Sequence, residues 1–386
     1  MDFRLTPEQQ MVRDMARDFV DKEVMPHARE WEEKGEIPRS ITDKMAELGF
    51  MGAPTPIEYG GAGMDYVSFM LLIEEVARGS SSLRTTMSVH ISLAQSHLLQ
   101  FATEEQKQKW VVPLAKGIKH GAWALTEPNA GSDAANQQTT ARKEGNYYIL
   151  NGAKRFISDG GVADYVIVFA RLPGTQKHEG ICSFMVEKGT HGFSVPKTET
   201  KTKLGLRASP TADLAFDDCK IPTNYLIGKE GDGWNQAMYV LNQGRLGVAA
   251  GAVGLARAAF EAAVKYSKER KTFGRQIAAW QLIKEMIAES AVEIDAARFL
   301  VLRAAQQKDL GEDNTLAVSM AKLFGAQMAQ RVTDRAIQIH GGYGFSGDFE
   351  VERYFRDARI LGLYEGTNEI QKIVISDRIL GPLEKK

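Results

Sequence analysis

Four short runs rich in β-branched and aromatic residues lie close together in the middle of the chain. They cover residues 147–152, 165–170, 181–186 and 212–216. Turn signals such as Asn151-Gly152 and Pro173-Gly174 separate them, and runs divided in this way are typical of paired strands. No long helical pattern interrupts the region. We therefore expect a small antiparallel β domain at about residues 121 to 230.

Helical patterns lie on both sides of this β-rich segment. Before it, Thr6-Pro7 predicts a helix start, and apolar residues recur at helical spacing over residues 41–48, 67–77 and 85–101. After it, the same spacing covers residues 241–268, 277–307 and 316–339. The sequence predicts an α+β multidomain fold. It consists of an N-terminal helical domain (1–120), a middle antiparallel β domain (121–230) and a C-terminal domain like a four-helix bundle (231–386).

Length and charge narrow the functional classes. A chain of 386 residues favours two or three packed units, and a net charge of −1 disfavours nucleic acid as the main partner. No run of 18 apolar residues occurs, and residues 1–8 lack the apolar core of a secretion signal. We expect no membrane span and a cytoplasmic location. The two cysteines, Cys182 and Cys219, are expected to be reduced, and no metal site is predicted.

One nucleotide-binding motif is misleading. Residues 342–347 match G-x-G-x-x-G, which binds dinucleotides only between a strand and a helix of a parallel unit. Here the motif follows a helical pattern, and no alternation of strands and helices surrounds it. A Rossmann-type site is therefore not predicted.

The stretch from Tyr364 to Gln371 places a carboxylate at a junction. Glu365 lies between an aromatic residue and Gly366, after an apolar run and directly before a helical pattern. An acid at such a junction can face a cavity, and glycine lets another molecule approach the backbone. Alternatively, Glu365 is an acid that interacts favourably with the start of its helix.

Two loops carry hydroxyl groups next to the predicted strands. Residues 125–133 combine Thr126 and Ser132 with a proline and a glycine, and residues 156–161 place Phe156 beside Ser158. Such loops can offer N–H and O–H groups to a polar heterocycle or a phosphate. Each loop could equally be a structural turn.

Taken together, these motifs resemble the acyl-CoA dehydrogenase family over nearly the whole chain. The resemblance is carried, in the family's order, by residues 126–133, 156–158, 270–274, 338–342 and 364–367. It implies FAD as cofactor, an acyl-CoA thioester as substrate and electron-transferring flavoprotein as electron acceptor. It also implies a homo-oligomer, usually a dimer of dimers, in which part of each FAD site comes from a neighbouring subunit.

The resemblance also assigns roles to individual residues. Glu365 matches the catalytic base, and relatives that place the base on another helix do so at the match to Gly244, which cannot act. The implied FAD contacts are Leu125, Thr126, Ser132, Phe156, Ile157, Ser158, Arg270, Thr272, Phe273, Gln281, Gln338, Ile339, Gly341, Gly342, Thr367 and Glu369. The implied substrate contacts are Arg84, Ser132, Asn242, Arg245 and Gly366. Departures from the family's pattern are Phe156 for the commoner Trp, Ser158 for the commoner Thr, and Trp280 where others carry a polar residue.

Arg84 gives an indication of the acyl group that the substrate carries. The residues after it are small or apolar at helical spacing, and the stretch resembles the segment that lines the distal acyl pocket. Glutaryl-CoA dehydrogenases carry an arginine in a similar context, where it binds the free carboxylate of the substrate. A guanidinium suits a carboxylate bidentately, and an arginine in an apolar pocket needs a partner. That partner is either a substrate carboxylate or a protein acid such as Glu74 or Glu75.

Three functions remain open from the sequence. The first is α,β-dehydrogenation of a short acyl-CoA, either a dicarboxylic one such as glutaryl-CoA or a substituted succinyl-CoA, or an ordinary short or branched chain. The second is a flavin oxidase or monooxygenase that passes electrons to oxygen. The third is a catalytically silent assembly factor, against which Glu365 argues, because a silent copy is free to lose its base.

Overall fold

The computed structural model describes residues 4–382. The outer limits of the predicted terminal domains, residues 1–3 and 383–386, lie outside this range. Helices fill both ends of the described chain and a β-sheet fills its middle, as expected from the sequence.

The first N-terminal helix begins where the sequence predicts. In the first one, the Thr6 hydroxyl accepts a hydrogen bond from the Gln9 N–H at 3.2 Å, and the Gln9 side chain accepts one from the Thr6 N–H at 3.0 Å. The helices are α1 (Pro7–Phe19), α2 (Ala28–Lys34), α3 (Arg39–Glu47), α4 (Tyr66–Gly79), α5 (Ser81–Ser88), α6 (Ser96–Phe101), α7 (Glu104–Gln106) and α8 (Val112–Ala115).

The helical run predicted from residue 85 starts earlier than expected. Ser80 caps α5 by accepting a hydrogen bond from the Leu83 N–H at 3.3 Å, and the π-helical segment Val89–Gln95 then joins α5 to α6. Such π segments are frequent at functional sites, because the extra residue in the turn re-aims neighbouring side chains.

The middle of the chain forms a single eight-stranded sheet. Its strands are β1 (Gly121–Ala124), β2 (Thr140–Glu144), β3 (Tyr147–Ser158), β4 (Tyr165–Arg171), β5 (Ile181–Glu187), β6 (Phe193–Glu199), β7 (Thr211–Pro222) and β8 (Leu226–Ile227). The order is β6-β7-β3-β2-β4-β5-β8, and β1 also pairs with β4.

Most pairings in the sheet are antiparallel, as predicted, but one is not. Strand β1 runs parallel to β4, with Gly121 opposite Tyr165 and Ala124 opposite Val168. A single parallel contact, Thr140 with Arg171, also joins β2 to β4. A parallel pair needs a long connection, and about 40 residues that include the β2–β3 hairpin separate β1 from β4. The sheet is therefore mixed.

The C-terminal helices form a bundle with two short strands at one end. The elements are α9 (Gly233–Glu269), β9 (Lys271–Thr272), β10 (Arg275–Gln276), α10 (Gln281–Asp309), α11 (Thr315–His340), α12 (Val351–Ala358) and α13 (Asn368–Leu380). Residues 341–345 form a 3₁₀ turn directly after α11, so the G-x-G-x-x-G match does follow a helix. This context confirms that the motif is not a Rossmann turn.

The N-terminal and C-terminal helices share one core. Buried apolar residues of α1, α4, α9, α10 and α11 form a single cluster, while the sheet has a cluster of its own. Helix α9 is long and apolar enough to cross a membrane by length and composition, but 72% of its most apolar stretch is buried inside the protein. Its apolar surface is thus covered by the other helices.

A buried ion-pair network joins four of these helices. Glu74 of α4 accepts hydrogen bonds from Arg257 of α9 at 2.5 Å and from Arg298 of α10 at 2.8 Å. The neighbouring Glu75 accepts from Arg17 of α1 at 2.9 Å and from Arg257 at 2.8 Å. Burial alone would raise the pKa of Glu75, but the hydrogen bond from Arg17 and the charge of Arg257 lower it to about 2. Glu75 is therefore ionised, and arginine side chains occupy the carboxylates of both acids.

Candidate active site

Glu365 lies in a sharp turn between the 3₁₀ segment Arg359–Gly362 and α13. Both Glu365 and Gly366 have positive backbone φ angles, +52° and +92°. A left-handed conformation costs a non-glycine residue on the order of 1 kcal/mol or more, so the surroundings must hold this turn in place. The side chain lines the main cavity described below, whereas Glu369 is the acid in the first turn of α13. Glu365 is therefore not merely an acid of the helix start.

The Glu365 carboxylate is desolvated but lacks a hydrogen-bond partner. Its Oε2 atom is buried and, within residues 4–382, no group donates to it. A Cβ at position 244 would lie 1.9 Å from this oxygen, so only glycine fits opposite the carboxylate. Burial raises the pKa of Glu365 to about 7, and the charges of Arg84, Arg245 and Lys322 limit the rise. A carboxylate in this state is a stronger base than one in water.

Two buried cations hold the backbone of this turn. Arg245 of α9 donates from Nε to the Glu365 carbonyl at 3.0 Å, and Lys322 of α11 donates from Nζ to the Gly366 carbonyl at 2.6 Å. Arg245 and Gly366 were expected from the sequence to contact substrate, and both line the cavity. Lys322 was not expected.

The main cavity has a volume of about 1030 Å³ and lies between α5, the sheet, α9 and the turn. It is large enough for a sizeable organic ligand. The following predicted site residues line it: Arg84, Leu125, Thr126, Ser132, Phe156, Ile157, Ser158, Asn242, Arg245, Glu365 and Gly366. Thus residues from all three parts of the sequence meet in one cavity.

One wall of the cavity suits a planar, polar ring system. Residues 156–158, expected in a loop, form the end of β3, and the Arg155 N–H just before them donates to the Thr126 carbonyl at 2.8 Å. Phe156 has a φ of +59° and leaves 60% of its surface exposed. A large aromatic side chain held exposed in this conformation can stack on a flat ligand, while Thr126 and Ser158 offer hydroxyls at its edge. These residues fit the isoalloxazine ring of FAD.

A second cavity, of about 590 Å³, lies at the far end of the C-terminal helices. Arg270, Thr272, Ile339, Gly341 and Gly342 line it, so two motifs that are distant in sequence meet there. In the described part of the chain Arg270 forms no ion pair with an acid, and its guanidinium lies 5.6 Å from the ring centre of Tyr343. An unpaired arginine in a cavity is suited to an anion such as a pyrophosphate.

Five further predicted residues line neither cavity. Gln281 and Gln338 are exposed, and Phe273 exposes 93% of its surface. Thr367 caps α13, its hydroxyl accepting from the Ile370 N–H at 3.3 Å, and Glu369 is exposed on the same helix. Trp280 packs under the guanidinium of Arg275 at 3.7 Å. The structure therefore gives these six residues no common site within one subunit.

Arg84 is buried beside Glu365, but in the described part of the chain it forms no ion pair with an acid. It donates to the hydroxyl of Tyr364, and its Nε atom has no partner in the described chain. Glu74 and Glu75, the protein acids named as examples of a partner, pair with other arginines, so neither of them is the partner of Arg84. The hydroxyl of Ser88, one helical turn further along the cavity wall, also lacks a partner among residues 4–382.

Sequence reasoning missed Lys322, Ser88 and Lys154. Lys154 is buried behind the first hydroxyl loop, where it donates to the Leu125 carbonyl at 3.2 Å and to Glu127 at 2.7 Å. Helical spacing could have indicated Lys322, because Val318 and Ala326 at i−4 and i+4 are apolar. No comparable spacing of apolar residues indicates Lys154.

Three family models match the chain in succession. They describe the N-terminal domain (residues 6–118), the middle domain (122–219) and the C-terminal domain (231–380) of acyl-CoA dehydrogenase. Together they span most of the described residues.

Individual relatives match over the whole length. A short-chain specific acyl-CoA dehydrogenase of Clostridium acetobutylicum is 48% identical over 98% of this chain and 100% of its own. A solved structure described as the electron transferring flavoprotein of Acidaminococcus fermentans contains a chain that is 46% identical, with a TM-score of 0.97 over 99% and 100% of the two chains. A glutaryl-coenzyme A dehydrogenase in complex with glutaryl-CoA is 38% identical, with a TM-score of 0.94 over 99% and 97%.

Proposed function

The chain belongs to the acyl-CoA dehydrogenase family, whose members are FAD-dependent oxidoreductases, and we propose that it oxidises a short acyl-CoA to the trans-2-enoyl-CoA with Glu365 as the base. The observation that carries this proposal is the unpartnered, desolvated Glu365 carboxylate at the wall of the main cavity. Its raised pKa, about 7, suits proton abstraction near neutral pH.

Glu365 acts on the carbon next to the thioester. The α-C–H bond breaks, its proton moves to the carboxylate, and the electron pair forms the new double bond as the β-hydrogen leaves with its own pair. Bound FAD supplies the two-electron acceptor for that hydride. The protein excludes water around the carboxylate, which removes the hydration that would weaken the base.

Polar groups of the turn and the loops position the reactants. No hydrogen bond within residues 4–382 occupies the N–H of Glu365, so it is free to donate to the thioester carbonyl and to stabilise charge that develops there. Leu125, Thr126, Phe156, Ile157 and Ser158 would hold the flavin ring of FAD within the same subunit. The second cavity would hold the pyrophosphate part of FAD bound mainly to a neighbouring subunit.

We further infer that the preferred acyl group carries a second carboxylate. Arg84 is 1% exposed and lies in the cavity near the base, with an unpartnered Nε and no acid partner in the described chain. Burying such a charge is costly unless a counterion is present, and a substrate carboxylate would satisfy both Arg84 and the hydroxyl of Ser88. The 38% identical glutaryl-coenzyme A dehydrogenase supports this reading. Glutaryl-CoA or a substituted succinyl-CoA is therefore the proposed substrate.

An ordinary short acyl chain is the second candidate, supported by the short-chain specific relative at 48% identity. In that case Arg84 serves Glu365 alone, since its charge lowers the pKa of that carboxyl. Assays on a panel of acyl-CoA thioesters distinguish a dicarboxylic substrate from an ordinary short acyl chain, with bleaching of flavin absorbance as readout. Glutaryl-CoA is expected to have a higher kcat/KM than butyryl-CoA. A preference for butyryl-CoA would contradict the dicarboxylic substrate but leave the dehydrogenase activity in place.

The Arg84→Met variant tests the same point by substitution. We expect kcat/KM for glutaryl-CoA to fall by on the order of 30-fold, equivalent to about 2 kcal/mol, because the variant loses a charge-assisted hydrogen bond. Butyryl-CoA, which has no distal carboxylate, is the internal control and should lose little. Equal losses on both substrates would show that Arg84 acts through Glu365 or the fold.

Electron-transferring flavoprotein is the proposed electron acceptor, supported by the match to a chain of the Acidaminococcus fermentans structure. An oxidase or monooxygenase would instead reduce oxygen. Mixing substrate-reduced enzyme with oxygen or with electron-transferring flavoprotein distinguishes an oxidase or monooxygenase from a dehydrogenase. We expect fast reoxidation by electron-transferring flavoprotein and not by oxygen. The cytoplasmic location and the dimer-of-dimers assembly remain predictions.

A further inference from the structure

Lys322 is a buried ammonium group at the back of the catalytic turn. It lies on α11, is 0% exposed, and donates from Nζ to the Gly366 carbonyl at 2.6 Å. Gly366 follows Glu365 directly and has a φ of +92°. The residues at i−4 and i+4, Val318 and Ala326, are fully buried as well. Lys322 therefore reaches the turn from inside the helical core.

This ammonium has no ion-pair partner in the described chain. The charged groups that face it are Glu365 in the turn, Arg245 on α9 and Glu369 at the start of α13. Burial lowers the pKa of Lys322 to about 8, and Glu365 is the largest of the influences that raise it again. Burying a lone ammonium is strongly unfavourable, so a compensating negative charge is needed. The Glu365 carboxylate is the charge that best supplies it.

Lys322 does not line the main cavity and cannot touch the acyl group. It differs in this from Arg245, which holds the preceding carbonyl at 3.0 Å and does line the cavity. Removing Lys322 would leave the cavity wall unchanged while altering the turn and the charge behind the carboxylate. Its effect can thus be separated from substrate contact.

We propose that Lys322 is a positioning residue for the base: its ammonium fixes the Gly366 carbonyl, and its positive charge favours the ionised form of Glu365. This role rests on the proposed function of Glu365. Glu365 also faces Arg84 on α5 and Arg245 on α9, whose charges remain when Lys322 is replaced. Loss of one of three positive charges should raise the pKa of Glu365, so that proton abstraction requires a higher pH.

Two variants separate the charge from the hydrogen bond. Lys322→Gln keeps a donor near the Gly366 carbonyl but removes the charge, and Lys322→Met removes both. The acidic limb of the kcat/KM profile should move up by about one pH unit in both variants. Only Lys322→Met should also lower the plateau rate at high pH, because the Gly366 carbonyl then keeps only the long hydrogen bond from the Gln371 side chain, at 3.4 Å. Lys265→Gln, at an exposed position of α9, is the control and should change neither.

The ionisation of Glu365 can be followed without turnover. In 3-thiabutyryl-CoA a sulfur replaces the β-carbon, so the α-proton can be removed but no hydride can follow. Binding to the FAD-loaded wild type should give a long-wavelength absorbance band that appears as Glu365 becomes ionised. We expect the midpoint of this band to lie about one pH unit higher in Lys322→Gln. An unchanged midpoint would overturn the role of Lys322, whereas failure of the wild type to remove the proton from any thioester would overturn the proposed function itself.

A double-mutant cycle of thermal stability tests the proposal even for variants that fold poorly. Thermal unfolding at pH 8 is compared for wild type, Lys322→Met, Glu365→Gln and the double variant. If the two charges stabilise each other, Lys322→Met should lower the melting temperature less in the Glu365→Gln background than in the wild type. Additive shifts would contradict the proposal, even if neither Lys322 variant turns over substrate.

Discussion

At the scale of single residues, Glu365 combines several features that are energetically unfavourable for the folded protein. Its backbone is left-handed, its Oε2 atom has no partner in the described chain, and its pKa is raised to about 7 by burial. Each of these costs stability, and they are tolerated together only where function requires them. Arg84 and Lys322 add two buried charges that have no ion-pair partner among residues 4–382.

The raised pKa of Glu365 predicts how stability depends on pH. Below the ordinary pKa of 4.5 the carboxyl is protonated in both the folded and the unfolded protein. Between 4.5 and about 7 the unfolded chain loses the proton while the folded protein retains it, so this residue's contribution to stability falls as pH rises through that window. Glu365→Gln should therefore be more stable than wild type at pH 8, by on the order of 2 kcal/mol, and little different at pH 5.

Thermal unfolding of the FAD-loaded proteins at both pH values measures this difference. Glu105→Gln, at an exposed position on α7, is the matched control and should show no such dependence. A stability gain for Glu365→Gln that is the same at pH 5 and pH 8 would show that the buried charge is not its cause.

Sequence reasoning reached the residues that belong to contiguous motifs and missed isolated ones. Glu365, Thr126 and Phe156 were identified because neighbouring residues share their signal. Lys322 and Ser88 stand alone in helices, and a single lysine or serine in a helix is usually exposed. The apolar spacing around Lys322 indicates the buried face of its helix, but the groups that Lys322 and Ser88 contact depend on which elements pack against them, and only the tertiary structure shows this.

At the scale of elements, α9 can approach the catalytic turn closely because it carries glycines at the contact. A Cβ at Gly244 would lie 1.9 Å from Glu365 Oε2 and 2.7 Å from Leu93 Cδ2, and one at Gly251 would lie 2.7 Å from Arg84 Nε. From the sequence, Gly244 was expected only to be unable to act as a base. In the structure both glycines make room for the functional side chains.

Gly244→Ala tests this close approach. The added methyl group must displace the Glu365 carboxylate or Leu93, and a shift of about 1 Å in a catalytic group can lower the rate by about 100-fold. We expect kcat to fall by that order while FAD remains bound. Gly325→Ala on α11 is the matched control, because its Cβ would lie 3.4 Å from the nearest atom, and it should retain activity. Full activity of Gly244→Ala would mean that the carboxylate is not held as described.

Element types followed from sequence more readily than element pairings. Strands β3, β4, β5 and β7 and the long helices were predicted because local periodicity determines them, whereas the other four strands of the sheet were missed. The parallel pairing of β1 with β4 was not, because it joins residues about 40 positions apart and leaves no local signal. The π-helical segment Val89–Gln95 was also missed, since its extra residue per turn barely disturbs the apolar spacing.

At the scale of the whole molecule, the two cavities divide the implied FAD contacts. Thr126, Phe156 and Ser158 line the main cavity, whereas Arg270 and Thr272 line the second one. Among residues 4–382, none lines both cavities. This division is what a cofactor shared between subunits requires, because each half of the site is then completed by a neighbouring copy.

Dilution of the FAD-loaded protein tests the shared site. If Arg270 binds the FAD of a neighbouring subunit, FAD should be released over the same range of protein concentration in which the oligomer dissociates. Arg270→Gln should weaken FAD binding by on the order of 10-fold, since it removes a charge-assisted contact to a phosphate. Lys268→Gln, at an exposed position nearby on α9, is the control. A monomer that retains FAD with unchanged affinity would contradict the shared site.

The central claim is that Glu365 removes the α-proton of an acyl-CoA. The most direct measurement is anaerobic rapid mixing of FAD-loaded Glu365→Gln and wild type with glutaryl-CoA and butyryl-CoA, with the loss of flavin absorbance as readout. Wild type is expected to bleach with at least one of them. Glu365→Gln should bind FAD and substrate normally, because the amide keeps the shape of the side chain. The rate of flavin bleaching should fall by about 10³-fold or more, because the amide cannot accept the proton. A variant that bleaches at nearly the wild-type rate would contradict the account.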